Sequence, residues 1–138
     1  MKIITIIGFA FLLLVFSQCD KRNNGADCVT SNDCNTYKYD SGYVYINTSY
    51  VDGGVGIPVI LYKGYVEDNN ILWADTVYET RLTFWLPINS RYAAEGYYRV
   101  GQQLFITLDG KKLKDDTYED CGTKCYQEPS MSLDIKKI

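Results

Sequence analysis

Residues 80–88 alternate without a break. Leu82, Phe84, Leu86 and Ile88 fall on one side, and Arg81, Thr83 and Trp85 fall on the other. A period of two is the pattern of a β-strand with one buried and one solvated face. Such a strand has to bury its apolar row against a second layer, so this short stretch already pulls the chain toward sheet-on-sheet packing.

The same pattern recurs on both sides of it. Residues 43–50 alternate with Val44, Ile46 and Thr48 on the expected inner face. Residues 57–66 read as a second strand, with Pro58 near its start, where a missing donor is tolerated. Glu67-Asp68-Asn69-Asn70 is a turn, and residues 71–78 make a third strand. Residues 95–100 and 102–108 follow the central strand, with Tyr98 and Val100, then Leu104, Ile106 and Leu108, expected inside. Met131, Leu133 and Ile135 mark the last strand. These seven strands recur at intervals of roughly ten residues, and no helical period follows the N-terminal segment. The prediction is an all-β fold: one antiparallel β-sandwich of about seven strands over residues 37–138. Thirteen tyrosines suit half-buried pleated surfaces. Residues 109–130 are predicted to form a 22-residue connection, long for a structureless loop. Cys121 and Cys125 lie within it and offer a covalent staple.

The N-terminus is of another kind. Lys2 precedes an apolar run over residues 3–16, broken only by Thr5 and Gly8, and Ser17, Gln18 and Cys19 close it. That is the layout of a secretory signal peptide. About 14 helical residues reach roughly 21 Å, short of the ~30 Å hydrocarbon core, which argues against a retained spanning helix. Cys19 can become the acylated first residue of the mature chain, although Gln18 stands where a lipobox has a small residue. The alternative is ordinary cleavage after Ser17, giving a secreted, non-lipidated domain. Five cysteines decide between the two. An odd count leaves a reactive thiol in an exported protein, whereas acylating Cys19 leaves Cys28, Cys34, Cys121 and Cys125, an even set. The expected organisation is a signal peptide at 1–18, a lipidated N-terminus and polar tether at 19–36, and the sandwich at 37–138.

Composition excludes several chemistries. The chain has no histidine, which removes Ser/His and Cys/His nucleophile pairs and the commonest zinc ligand. Loss of Lys2 with the leader takes the net charge from −3 to −4, and no basic cluster exists to hold nucleic acid or anionic lipid. An oxidising compartment favours disulfides over a thiolate metal site for the four cysteines. Four cysteines allow three pairings, of which the local ones, Cys28–Cys34 and Cys121–Cys125, are preferred here. The acidic group Asp115, Asp116, Glu119 and Asp120 reads as a solvated loop. Lysines and Leu113 occupy the positions where a looped calcium site needs oxygens. No cofactor and no metal are expected. No carboxylate pair stands out by spacing, so the expectation is a non-enzymatic protein, with a small carboxylate-dependent hydrolase as the alternative. Tyr43, Tyr45, Trp85 and Tyr97 point away from the expected core and form a candidate aromatic contact surface for a protein or glycan. The competing explanation is that tyrosine simply suits both faces of a thin sheet.

Cys19 with its polar tether, the strand Ile57-Pro58-Val59-Ile60-Leu61-Tyr62-Lys63-Gly64, and the stretch Leu104-Phe105-Ile106-Thr107-Leu108-Asp109-Gly110-Lys111-Lys112 ahead of the late cysteines resemble the small envelope lipoproteins of Bacteroidota-type bacteria. The resemblance implies an immunoglobulin-like or transthyretin-like sandwich anchored in the bacterial cell envelope, in the outer membrane rather than the inner. The implied role is interaction or structure, as an accessory subunit or an adhesion or glycan-contact module. Asp75-Thr76-Val77 resembles the O-glycosylation acceptor of that group, which makes Thr76 a candidate site. The formal N-glycan sequon Asn47-Thr48-Ser49 is idle in a bacterial setting.

Overall fold

A computed structural model describes residues 33–49 and 54–137. The signal peptide at 1–18, the lipidation site Cys19 and the disulfide candidate Cys28 lie outside the described residues. Nine strands appear in chain order: β1 (Ser41–Asn47), β2 (Ile57–Lys63), β3 (Ile71–Val77), β4 (Arg81–Pro87), β5 (Arg91–Val100), β6 (Gln103–Lys112), β7 (Asp116–Asp120), β8 (Thr123–Gln127) and β9 (Ser130–Asp134). One sheet has the order β4-β1-β9, a second β3-β2-β5-β6, and β7-β8 is a separate hairpin. The first two face each other across one core. The fold is therefore the expected all-β sandwich.

The core is built from the rows that alternation assigns inward. Val44 and Ile46 of β1, Val59 and Leu61 of β2, Tyr92, Ala94 and Tyr98 of β5, and Leu133 with Ile135 are buried, and Leu82, Phe84, Leu86, Ile88 and Met131 pack against them. Tyr92 sits at the crossing from β4 in one sheet to β5 in the other, and its hydroxyl donates to the Pro87 carbonyl at 2.7 Å. A tyrosine that bonds back to the backbone a few residues upstream where the chain changes sheets pins that crossing. The buried Tyr98 hydroxyl donates to the Ile135 carbonyl at 2.8 Å and accepts from the Ser49 N–H at 3.0 Å. Buried phenols need such partners.

Four expectations are corrected. The described residues form nine strands, because residues 109–130 are not a loop. Strand β6 runs on to Lys112, and the hairpin β7-β8 turns through Cys121 and Gly122, both at positive φ. Two such central residues make the tight turn whose twist matches its strands. The sandwich is also not wholly antiparallel, since β9 pairs parallel to β1. On β6 the inward row is Phe105, Thr107, Asp109 and Lys111, while Leu104, Ile106 and Leu108 are exposed. Register dictates this, because the buried Tyr98 lies opposite Phe105. Val100, opposite Gln103, is exposed as well.

The fourth correction concerns the disulfides. Cys34 bonds Cys125 across a sequence separation of 91, so the local pairs do not form. Cys121 is disulfide-bonded too. Hydrogen bonds support the long-range link: Tyr126 N–H donates to the Asn35 carbonyl at 2.7 Å, and the Tyr118 hydroxyl to the Asp33 carbonyl at 3.2 Å. Residues 33–35, the end of the expected tether, are thereby fastened to the hairpin.

Strand β6 closes the side of the sandwich by bonding the outer edge of β9. Lys111 Nζ donates to the Ser132 carbonyl at 2.7 Å, Thr107 Oγ1 to the Ile135 carbonyl at 2.7 Å, and the Asp134 N–H to Asp109 Oδ2 at 2.9 Å. Burial alone would raise the Asp109 pKa. The bond from Asp134, the hydrogen bond and charge of Lys111, and the Gly110 N–H outweigh it and hold the carboxyl below its ordinary 3.8. A depressed folded-state pKa adds stability that is complete above the unfolded value and lost as pH falls through the folded one. Asp109→Asn should therefore be less stable than the parent near neutrality, with the gap closing as pH falls below the ordinary 3.8 and through the depressed folded-state value. Urea unfolding at neutral pH and across the acid range checks this, and a gap independent of pH would contradict it.

Candidate functional site

Strand β1 lies between β4 and β9, so its outward side chains have neighbours on both sides. Tyr43 stands opposite Trp85 and Ser130, Tyr45 opposite Thr83 and Ser132, and Asn47 opposite Arg81 and Asp134. Directly opposite residues share a face and touch. The Tyr43 and Trp85 rings meet edge to face at 4.7 Å. Tyr43 and Tyr45 stack at 5.8 Å with 16° between their planes. The Arg81 guanidinium lies over the Tyr45 ring at 4.2 Å. The result is one continuous ridge, Trp85–Tyr43–Tyr45–Arg81, across the outer face of the three-stranded sheet.

Each contact in the ridge is worth about 0.5–1 kcal/mol at an exposed site. That is enough to order the rings in advance, so a ligand meets a surface whose side-chain entropy is already spent. Trp85 remains 49% exposed. Beside the rings, Ser130, Ser132, Thr83 and Asn47 supply hydroxyl and amide groups. Asn47 Nδ2 donates to Ser132 Oγ at 2.6 Å, which leaves that hydroxyl its own proton to offer.

Three of the four expected contact aromatics thus come together. Tyr97 does not, because it belongs to the outer face of the opposite sheet. There its hydroxyl donates to Glu95 Oε2 at 2.8 Å, and the Tyr62 hydroxyl donates to the same oxygen at 2.9 Å. Burial, then the bond to Glu95 and its charge, push the Tyr62 phenol up to about 12. Arg81, Asn47, Ser130 and Ser132 were not singled out from the sequence. Arg81 was legible, since it lies on the same outward row of β4 as Trp85. The serines were not, because their place depends on β9 running parallel beside β1.

The other candidates are dispersed. Thr76 is exposed on the edge strand β3, its N–H bonded to the Asp75 carboxylate at 2.7 Å. Asp115 pairs with Lys38 at 3.6 Å, while Asp116, Glu119 and Asp120 lie along β7. Among the described residues no group of three His, Cys, Asp or Glu is placed to hold a metal ion. Nor is any helix of the described residues long and apolar enough to cross a membrane. A cleft of about 230 Å³ lined by Val55, Pro58, Tyr97, Arg99 and Leu104 is smaller than the ~300 Å³ at which small-molecule sites begin. A wider hollow of about 440 Å³ on the β7-β8 hairpin, lined by Thr117, Tyr118, Glu119, Gly122 and Lys124, lacks the apolar lining of such sites. No family model, curated protein or solved structure matches the chain, and the aromatic ridge stands on its own geometry.

Proposed function

We propose that this is a non-catalytic glycan-contact module of the bacterial envelope, anchored through a lipid on Cys19. The observation that carries the binding role is the preformed ridge of Trp85, Tyr43, Tyr45 and Arg81. A sugar ring has an apolar C–H face and a rim of hydroxyls. Aromatic rings beside Ser130, Ser132, Thr83 and Asn47 meet both at once. A protein-binding hot spot uses the same aromatics and arginine but is poor in serine and threonine. The hydroxyl-rich flank therefore favours a saccharide. A flat face with no deep cleft suits a chain of sugars over a single small one.

Affinity electrophoresis through gels containing envelope polysaccharides tests this reading. The parent chain should be retarded. Trp85→Ala should lose most of the retardation, a drop of roughly 30-fold or more in affinity if ~2 kcal/mol of hot-spot energy is removed. Because Trp85 is half in water, its thermal unfolding should barely change. Equal retardation of parent and variant would contradict the assignment.

A further inference from the structure

A second surface differs in chemistry and lies on the other sheet. Strand β6 ends the β3-β2-β5-β6 sheet and is ten residues long. Its residues 103–108 carry no charge. Leu104, Ile106 and Leu108 are 56, 57 and 56% exposed on the outward row, and Phe105 is 40% exposed on the other. Long, apolar, uncharged edges template further strands, and proteins blunt them with charges, proline or a covering element.

The other three edges of the two facing sheets are blunted. Strand β3 carries the exposed Asp75 on the row shared with the buried Val59. The outer edge of β9 is bonded by Asp109 and Lys111. Strand β4 begins with Arg81 and ends with Pro87. Of these four edges β6 is left the most open: residues 103–108 carry neither charge nor proline, and the Lys137 ammonium flanks them, 5.1 Å from the Phe105 ring centroid.

We infer that β6 pairs with β6 of a second copy of this chain, antiparallel about Ile106. The sequence is self-complementary in that register. Leu104 faces Leu108, Ile106 faces its own copy, and Phe105 faces Thr107. Further out, Gln103 faces Asp109, while Lys111 and Lys112 face Gly101 and Val100, so no like charges oppose each other. Directly opposite residues share a face, so the exposed Leu-Ile-Leu rows of the two copies merge into one six-residue ridge. The contact is two-fold and closes on itself, giving a dimer instead of a filament. Pairing β6 with β3 of the next copy would instead run Asp75 into an apolar row. The two-fold axis stands normal to the sheets, so both Trp85 faces look the same way. A polymer can then bridge them with the gain of an intramolecular second contact.

Cysteine cross-linking of the full chain in mild detergent tests the register. At the axis, opposed Cα atoms lie ~4.5–5.5 Å apart, within disulfide reach. Ile106→Cys should give a covalent dimer on mild oxidation. Leu104→Cys should not, since its copy lies roughly 13 Å along the strand, nor should Thr76→Cys on β3. The pair Leu104→Cys and Leu108→Cys in one chain should restore the cross-link. Separately, Ile106→Lys should convert the dimer mass to monomer in light scattering with native circular dichroism. The inference is overturned if Ile106→Cys, folded by the same dichroism test, stays monomeric on oxidation. It is overturned equally if all positions cross-link alike, if Ile106→Lys leaves the dimer intact, or if position 106 cross-links only to a different protein.

Discussion

Replacing Cys34 and Cys125 together by alanine should lower the free energy of unfolding by up to about 4–5 kcal/mol, the loop entropy of a link across 91 residues, reached if the bond at Cys121 does not close that loop as well. For a domain of this size that is a fall in Tm of roughly 15–30 °C. Both cysteines have to be replaced at once, because a single substitution leaves a thiol able to exchange with the bonded Cys121. Calorimetry of the double variant gives the answer. A loss well under ~2 kcal/mol would mean that the bond at Cys121, with the Tyr126–Asn35 and Tyr118–Asp33 hydrogen bonds, holds the hairpin without this link.

Ile46→Ala should be nearly as damaging, at about 3–4 kcal/mol, because a fully buried β-branched side chain is removed where the structure has little room to collapse. Ile46 lies on the inner row of β1, opposite Leu82 on one side and Leu133 on the other. The cavity therefore opens in the middle of the three-stranded sheet. Its outward neighbours, Tyr45 and Asn47, belong to the face with the aromatic ridge. Urea unfolding should place Ile46→Ala far below the parent and Trp85→Ala within ~1 kcal/mol of it. That contrast separates the row that holds the fold from the row available to a ligand.

Much of the architecture was legible because alternation reports burial directly. Strands β1, β4 and β9 turned the expected side chains inward: Val44, Ile46 and Thr48, then Leu82, Phe84, Leu86 and Ile88, then Met131, Leu133 and Ile135. Strand β6 misled, because its more apolar row faces water. A register argument would have caught it. Gly101, at positive φ, and Gln102 form a two-residue turn that sets Val100 against Gln103 and hence Tyr98 against Phe105. An inward Tyr98 then implies an inward Phe105. The hairpin β7-β8 was illegible for a different reason. Asp116-Thr117-Tyr118-Glu119-Asp120 is too polar to signal burial, and its strands are held by each other and by disulfides. The aromatic ridge was half legible. The outward placement of Tyr43, Tyr45 and Trp85 follows from period two, whereas their contact follows from β1 pairing with β4, a non-local choice.

In the proposed role, Trp85 and its tyrosine neighbours touch a saccharide. Tryptophan fluorescence, titrated with purified envelope polysaccharide in a Trp73→Phe background, reads that contact most directly, since Trp85 is then the sole tryptophan. A saturable shift of the emission to shorter wavelength, abolished by Tyr43→Ala, is expected. An emission spectrum unchanged at saturating polysaccharide, with the protein nonetheless retained by it, would place the binding site elsewhere and contradict the account.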